Sequence, residues 1–376
     1  MNNRIRLLDI FRGFAILGTL GTNIWLFAEL GSIATIYPDP AVSWWTSFNS
    51  ILKTFILLLV NGKFLGILTI MFGIGLELKR RKAQRLGQKW PGLYLWSSFL
   101  LLLDGALHYF LVMDYDILMS YAVTAMIVAF IVNRSDRVIR RVMIGVGSFH
   151  LFLISLILVV LMNAHVTYDG AFTEITELYR SGSWLEQIRY RYDSFWANRL
   201  ESIMIIPMNV FLFLTGVLLI RSGALAPDEK GKAIRRTMLR WGLGVGLPLN
   251  LLIFVPGSLF AIPVRYVFAP VLSLGYMALI AKIMEKDKAD WLWRRFEEIG
   301  KTALSCYVLQ NIIASFIFYG WGLGLGGTYG AFFTLLIWIL ISGLLMFVSH
   351  LWLRRFASGP VEWLWRWLSD MPVRKT

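Results

Sequence analysis

The amino-acid sequence predicts an all-α protein, a polytopic transmembrane helix bundle with about ten crossings and both termini in the cytoplasm. Hydrophobic residues make up 57% of the 376 residues, more than a soluble protein of this length needs for its core and surface. Apolar runs long enough to span a hydrocarbon core of roughly 30 Å recur along the chain. Lys and Arg fall in short clusters between these runs. We therefore expect a single integral membrane domain over residues 1–376.

The expected spans follow the apolar runs in chain order. The first contains Asp9 and Arg12 and lacks a small-residue cleavage site, so we expect a retained span and not a signal peptide. The second, at roughly 33 residues, is too long for one upright helix. Asn61-Gly62-Lys63 interrupts it, which predicts a broken, re-entrant or two-helix segment that makes one net crossing. The ten expected spans are 7–27, 46–78, 91–112, 117–133, 142–162, 201–221, 241–256, 261–281, 302–322 and 330–353.

The basic residues predict the orientation, because Lys and Arg in short loops favour the cytoplasmic side. With the N-terminus inside, about 29 of the 37 basic residues fall in inner segments and about four in outer ones. The net charge of +14 thus reports topology and not a nucleic-acid-binding patch. Residues 163–200 are expected to form an outer amphipathic segment, either an interfacial helix or a lid over a substrate. Residues 354–376 are expected to form a cytoplasmic interfacial tail.

Several kinds of chemistry are disfavoured. Cys306 is the single cysteine, so an intrachain disulfide is excluded and a thiolate metal cluster is disfavoured. The sequence has no His-Glu-Xaa-Xaa-His pattern, no Gly-Xaa-Ser-Xaa-Gly elbow and no Walker-type loop. Zinc hydrolysis, elbow-serine chemistry and ATP-driven transport by this chain are therefore disfavoured, and no metal is expected.

Asp9 and Arg12 are ionisable residues in the first span. An ionisable group within a span costs several kcal/mol unless it is paired or hydrated, so such residues are candidates for function. Their spacing of three puts them on one helix face near the cytoplasmic end. They form either an intrahelical ion pair, with the arginine reaching the interface, or an anion clamp.

The third span carries Asp104 and His108, four residues apart and hence on one face, and Asp116 follows beyond its outer end. A buried imidazole beside carboxylates can act as a general base near neutral pH. The alternative is a structural polar contact between helices. Asp104, near the middle of the membrane, needs a partner unless it is protonated, and Arg265 is the candidate.

These residues are arranged as in a known family: the chain resembles the YeiB family of bacterial multispan membrane proteins. The resemblance covers nearly the whole chain and is most specific towards the C-terminus. The residues that carry it are Arg6-Leu7-Leu8-Asp9 with Arg12-Gly13 and Asn23; Lys63-Phe64 with Met71-Phe72-Gly73-Ile74-Gly75; Leu107-His108 with Asp116-Ile117-Leu118 and Tyr121; Gly300-Lys301-Thr302-Ala303-Leu304-Ser305-Cys306-Tyr307-Val308-Leu309-Gln310; Phe318-Tyr319-Gly320; and Gly359-Pro360-Val361-Glu362-Trp363-Leu364-Trp365-Arg366.

The YeiB family is similar to a branch of the transmembrane acyltransferase superfamily that contains heparan-α-glucosaminide N-acetyltransferase. Members of that superfamily move an acetyl group from cytoplasmic acetyl-CoA to an acceptor across the bilayer. Asp9, Arg12 and Asn23 match the pattern of its first helix. One position departs: the lysosomal enzyme has a histidine shortly after that asparagine, and this chain has none between Asn23 and His108.

The resemblance implies an acyltransferase that uses acetyl-CoA or another acyl-CoA as co-substrate, in a bacterial inner membrane. The expected partners are membrane lipids and an acyl acceptor (a glycan, a lipid or a small amine), with a homodimer as one option and with no nucleic acid. The residues implied are Arg12, Asp9 and Lys63 for acyl-CoA binding, and His108 as base, Asp104 or Asp116 as its orienting carboxylate and Asn23 as oxyanion donor for catalysis.

Two other classes of function remain open. In a transporter or lipid-handling protein, Asp104, His108 and Arg265 would form a proton or substrate relay at mid-bilayer. A non-catalytic membrane scaffold is the third reading. Inverted repeats would favour transport, and the two halves of this chain show no convincing similarity. Binding of acetyl-CoA at the cytoplasmic side of the first helix would favour the enzyme.

Overall fold

The structure is a computed structural model and describes residues 6–31, 43–163, 171–256, 259–286 and 290–371. These residues form helices and short connections, with no strand among them, and the all-α prediction is confirmed. The helices are α1 Arg6–Ala28, α2 Phe48–Val60, α3 Lys63–Arg85, α4 Gly92–Leu111, α5 Leu118–Ile131, α6 Asp136–Asn163, α7 Ala171–Ser181, α8 Trp184–Asp193, α9 Phe195–Met204, α10 Ile206–Ser222, α11 Glu229–Gly244, α12 Gly246–Asn250, α13 Ala261–Pro263, α14 Ala269–Lys286, α15 Asp290–Lys301, α16 Ala303–Phe318, α17 Ala331–Leu353 and α18 Pro360–Asp370.

Apolar helices long enough to cross a membrane dominate the described chain. Seven helical segments pass this test, and two bent helix pairs raise the number to nine if each pair is one span. The pairs are α9 with α10, bent by 44°, and α15 with α16, bent by 87°. The chain is therefore a multi-pass membrane protein. The predicted tenth crossing falls on α5, whose 14 residues make about 21 Å of helix; the count of ten and the cytoplasmic termini stay predictions.

The interrupted second span consists of two helices. α2 and α3 are separated by Asn61 and Gly62, where the sequence predicted a break. Gly62 has a φ of 78°, and a Cβ atom there would lie 2.7 Å from the carbonyl oxygen of Arg265. A glycine is required for both reasons, because it alone adopts this conformation freely and lets the backbones approach. The break thus places the start of α3 directly against the segment that carries Arg265.

Helix α1 lies at the centre of the bundle, with 83% of its most apolar stretch buried. It packs backbone to backbone against α15: a Cβ on Gly13 would lie 2.0 Å from the oxygen of Phe296, and one on Gly300 would lie 1.8 Å from that of Asp9. Small residues at such crossings allow close packing where no hydrophobic effect operates between helices. In contrast, α6 and α17 are mainly exposed apolar surface, with 11% and 22% buried, as expected for helices that face lipid.

The predicted outer segment contains three short helices, α7, α8 and α9. Helix α8 begins with a capping box, in which Ser183 and Glu186 satisfy each other's backbone N–H groups. Large apolar side chains such as Trp196 and Leu200 are exposed, while Arg191 and Arg199 are buried. One face of the segment therefore packs onto the bundle and the other presents apolar surface. Residues 164–170 of this segment, residues 372–376 of the predicted tail and residues 1–5 lie outside the described residues.

Candidate functional site

A buried polar cluster surrounds Asp116, which lies in the short connection between α4 and α5. Its Oδ1 atom is 3.1 Å from Nδ1 of His108 and accepts a hydrogen bond from the Tyr307 hydroxyl at 3.4 Å. Its Oδ2 atom accepts from the backbone N–H of Met119 at 3.1 Å. Asp116, His108 and Tyr307 are each at most 3% exposed. Residues far apart in the chain thus meet on one carboxylate.

The second nitrogen of His108 is also occupied. Nε2 lies 3.2 Å from the Asn311 amide nitrogen, and the imidazole ring packs 5.0 Å from the Tyr307 ring. The Asn311 oxygen has no hydrogen-bond partner among the described residues. Half a turn of the amide would offer that oxygen to a protonated Nε2, so Asn311 can serve either protonation state of the ring. The cluster can therefore hold the imidazole with or without an added proton.

Two buried arginines of the outer segment fix the connection that carries Asp116. Arg191 Nε lies 2.8 Å from Oδ1 of Asp114, which also accepts from the Tyr179 hydroxyl. Arg199 donates to the carbonyl oxygen of Asp116 at 2.9 Å and to that of Asp114. Burial lowers the pKa of Arg191, but its electrostatic interactions with Tyr179 and the Asp114 carboxylate outweigh this effect and raise the pKa above its ordinary value. Arg191 therefore stays cationic.

A cavity of about 410 Å³ lies at the end of the bundle that carries the basic loops. Its volume is within the range of roughly 300–1,000 Å³ typical of small-molecule sites. Tyr307 lines it, and the hydroxyl of the same residue donates to Asp116. We call this space the inner cavity. Its basic lining residues are Arg12, Lys79, Lys301 and Arg366, and its apolar lining includes Leu68, Met71, Phe72, Leu76 and Leu101.

The tail helix α18 forms one wall of the inner cavity. Oε1 of Glu362 accepts from the backbone N–H groups of Leu304 at 2.6 Å and Ser305 at 3.2 Å. These N–H groups belong to the first turn of α16, where they have no partner within the helix. Trp365 places its ring 4.5 Å from Nζ of Lys79. The tail, which the sequence predicted only as an interfacial anchor, is thus docked on the cavity.

A small cleft of about 40 Å³ lies on the other side of Asp116. We call it the outer cleft. Asn23, Asp116, Glu201 and Arg265 contribute its polar lining. Ile117 lines both the outer cleft and the inner cavity. Ile117 is therefore part of the wall between the two spaces.

Comparison with known proteins supports a family assignment. A family model described as a protein of unknown function, DUF418, matches residues 219–372. Over its whole length the chain is 27% identical to the uncharacterized protein YxaH of Bacillus subtilis (strain 168), of which it covers 97%. Over 96% of its length it is 28% identical to the uncharacterized protein YeiB of Escherichia coli (strain K12), of which it covers 95%.

The chain belongs to the YeiB family. The segment of this YeiB-family chain that the family model matches supplies Tyr307, Asn311 and the docking residue Glu362, whereas His108 and Asp116 lie outside it. The match to YxaH spans all of these residues.

The predicted acyl-CoA residues of this YeiB-family chain are divided in space. Arg12 lines the inner cavity, and its Nη1 lies 3.0 Å from Oδ1 of Asp9. The predicted intrahelical ion pair is therefore present, and it leaves Arg12 at the cavity. Lys63 lies at the opposite end of α3 from Lys79, about 24 Å away along the helix, and is not among the cavity-lining residues. It is fully buried, and its Nζ has no hydrogen-bond partner among the described residues.

The predicted catalytic residues are partly brought together. Asp116 holds His108, whereas the Oδ2 atom of Asp104 is buried without a hydrogen-bond partner among the described residues. The expected pairing of Asp104 with Arg265 is not observed. Arg265 instead contacts Asn61 and lies 3.8 Å from Glu201, because the α2–α3 break faces it.

His108 lines neither the inner cavity nor the outer cleft. A general base must face the space that holds the proton it takes, and Asn23, the predicted oxyanion donor, lines the outer cleft. In the structure Asp116, and not His108, shares the outer cleft with Asn23. His108 therefore reaches that space only through its contact with Asp116.

Four contributors to the site were missed by sequence reasoning: Tyr307, Asn311, Arg199 and Glu362. Asn311 offered a signal, since an amide in the middle of an apolar run usually meets another polar group. Tyr307 and Glu362 lie within the segments that resemble the family, but the spacing of these residues gave no hint of a shared site. Their contacts span 191 and 58 residues of chain.

Proposed function

We propose that this chain is a membrane-embedded acyltransferase that moves an acetyl or other acyl group from cytoplasmic acyl-CoA to an extracytoplasmic or membrane-borne acceptor. The observation that carries the proposal is the pair of spaces on either side of Ile117. A donor and an acceptor that enter from opposite ends can meet there, at the wall to which Ile117 belongs. The Asp116 cluster, which can handle protons, lies in that wall.

The inner cavity is suited to CoA. Arg12, Lys79, Lys301 and Arg366 can bind the phosphates, since charge-assisted hydrogen bonds to phosphate are among the strong ones. The apolar lining beyond them suits the uncharged pantetheine arm. In this arrangement the thioester reaches the end of the cavity at which Tyr307 and Ile117 lie. Lys63 has no role in donor binding in this proposal.

The outer cleft is suited to the reacting group of the acceptor. Asp116 faces it and takes the proton of the attacking hydroxyl or amine, with His108 behind it to share that proton. Asn23 also lines the cleft, and its described hydrogen bond is a long one, 3.9 Å to the Met113 sulfur. Its amide is therefore available as a donor to the oxyanion that forms when the carbonyl is attacked.

The cellular setting is part of the proposal. The relatives come from bacteria, and the basic residues gather on one side of the predicted topology. Both support a cytoplasmic membrane of a bacterium, with the inner cavity open to the side on which acyl-CoA is made. The acceptor, whether glycan, lipid or small amine, then arrives from the outer side or from the membrane itself.

A transporter is the second candidate, and one observation favours it. Lys63 Nζ and the Oδ2 atom of Asp104 are buried without hydrogen-bond partners among the described residues. Ionisable groups left in this state inside a membrane often belong to a proton or substrate relay. The transporter proposal predicts that a solute is moved unchanged, whereas the acyltransferase proposal predicts that CoA thiol is released.

Calorimetry with the purified chain in lipid nanodiscs tests the donor site. We expect CoA and acetyl-CoA to bind. We expect Arg366→Ala to weaken binding about ten- to a hundredfold, because one charge-assisted contact is worth roughly 1.5–3 kcal/mol. Arg366 has no ion-pair partner among the described residues, so the substitution breaks no internal pair.

Arg354→Ala is the matched control, because Arg354 is exposed near the same end of the bundle but does not line the cavity. It should bind CoA as the unsubstituted chain does. No heat of binding at millimolar CoA would refute the donor site and favour the transporter.

A further inference from the structure

Tyr307 is placed to serve both spaces. It is a lining residue of the inner cavity, where the proposed thioester lies, and its hydroxyl donates to Oδ1 of Asp116. Asp116 in turn lines the outer cleft. The hydrogen bond between these two residues therefore connects the two spaces within the wall.

Acyl transfer releases a proton in one space, whereas the leaving group needs a proton in the other. The acceptor gives up its proton in the outer cleft, whereas the thiolate of CoA is left in the inner cavity and needs one. We infer that Tyr307 is a catalytic residue that protonates the leaving thiolate and recovers its own proton from the Asp116–His108 pair. This inference rests on the proposed function.

The step is balanced. The acceptor heteroatom forms a bond to the acyl carbon, and its proton passes to Asp116 and His108. The carbon–sulfur bond breaks with its electron pair on sulfur, and the Tyr307 hydroxyl proton passes to that sulfur. The proton held by the Asp116–His108 pair then passes to the tyrosine oxygen across the hydrogen bond of 3.4 Å. The products are the acylated acceptor and CoA thiol, and the cluster returns to its first state.

The acidities of the phenol, the thiol and the carboxylic acid favour proton transfer towards the CoA sulfur. A phenol, with an ordinary pKa of roughly 10, is a weaker acid than a thiol at about 8.5, so Tyr307 alone would be a poor donor to the thiolate. A carboxylic acid at about 4 is a far stronger one. Because Asp116 returns a proton to Tyr307, the net transfer runs from carboxyl to thiolate and is downhill.

The exchange is electrically neutral. The acyl group leaves the inner cavity without the electron pair of its bond to sulfur, and one proton takes its place from the outer cleft. Neither side of the membrane therefore gains or loses charge in a turnover.

Tyr307→Phe tests the inference, because it keeps the ring against His108 and removes the hydroxyl. The assay is thiol release from acetyl-CoA by full-length chain in proteoliposomes, with glucose, ethanolamine or phosphatidylethanolamine as the acceptor probe. We expect turnover to fall about 100-fold or more, with CoA affinity and melting temperature unchanged. Tyr276→Phe is the control: its hydroxyl donates to the Leu59 carbonyl, away from both spaces, and its turnover should match that of the unsubstituted chain.

The solvent isotope effect supplies the second readout. Turnover of the unsubstituted chain should be slower in D2O than in H2O, because a proton passes from Tyr307 to sulfur, and the residual turnover of Tyr307→Phe should show a smaller effect. Equal turnover and equal isotope effects in both chains would overturn the role of Tyr307 and leave the acyltransferase standing. Absence of thiol release by the unsubstituted chain would overturn both.

Discussion

Asp116 receives three hydrogen bonds, from His108, Tyr307 and the Met119 backbone. Such bonds hold a carboxylate in one orientation, and Arg199 holds its main chain as well. A base is effective only when it lies within hydrogen-bond reach of the proton that it takes. The number of hydrogen bonds that this one residue receives is therefore consistent with a catalytic role. Packing alone would not require so many.

His108→Asn separates proton handling from packing. The asparagine amide can still donate to Asp116 from about the position of Nδ1, but it cannot take up a proton. We expect thiol release from acetyl-CoA to fall about 10²–10⁴-fold, the range typical of a lost acid–base group, while CoA affinity stays within about threefold.

Calorimetry and a melting curve show whether the same variant is folded and still binds CoA. The substitution leaves Asn311 without its partner at Nε2, so we expect a loss of roughly 1–3 kcal/mol in the free energy of unfolding whichever role His108 has. Unchanged activity in a well-folded variant would exclude His108 from the chemistry.

The sequence was informative about polar residues that are close in the chain. The spacing of four between Asp104 and His108 predicted a shared face, and Asp116 follows eight positions after His108. It was uninformative about which carboxylate the imidazole would use, since that depends on how the connection after α4 folds back. Tyr307 carries no charge and lies in an apolar run, so the neighbouring sequence gave no indication that it belongs to a polar site.

Helices α3 and α10 cross where glycines permit contact between backbones. A Cβ on Gly73 would lie 1.9 Å from the oxygen of Phe213, so Gly73→Ala forces the two helices apart. We expect a loss of roughly 1–3 kcal/mol in the free energy of unfolding, as for overpacking in a core, and a lower melting temperature in nanodiscs.

Gly75→Ala, two residues along the same helix, is the control. Nothing lies within 4 Å of its would-be Cβ, and alanine is the better helix former. This variant should melt at the same temperature or above, and equal destabilisation of both would contradict the close crossing.

The helices agree with the sequence-based prediction where the prediction rested on apolar runs. They differ from it where it rested on clusters of charged residues. The break at Asn61-Gly62 was predicted. Helix α15 was expected as part of an inner loop, because residues 282–301 are rich in Lys and Arg. It is instead an amphipathic helix that buries Trp293 and Ile299 and packs on α1. A tally of basic residues reports the side of the membrane but not whether the segment packs.

At the scale of the whole molecule, the topology is the main remaining prediction. A reporter fused after Thr376 should be cytoplasmic, and one inserted near Gly170 should be extracytoplasmic, because about 29 of the 37 basic residues then face inward. Paired alkaline phosphatase and green fluorescent protein fusions measure this.

Both reporters on one side would contradict the ten crossings. The suspects would be the 38-residue segment Phe48–Arg85 and the short α5. The number of apolar runs could be read from the sequence, but whether a 14-residue helix crosses or ends within the bundle depends on packing.

The position of Ile117 between the two spaces implies that the wall also acts as a barrier to ions. A protein that passes an acyl group through the membrane must not at the same time become a leak for ions. A branched side chain, hydrocarbon throughout, is suited to this, since bare ions do not shed water to pass an apolar constriction. Replacing it with glycine would remove that seal at one point. In the proposed acyltransferase, the side chain of Ile117 is therefore what keeps an ion gradient from discharging at this site.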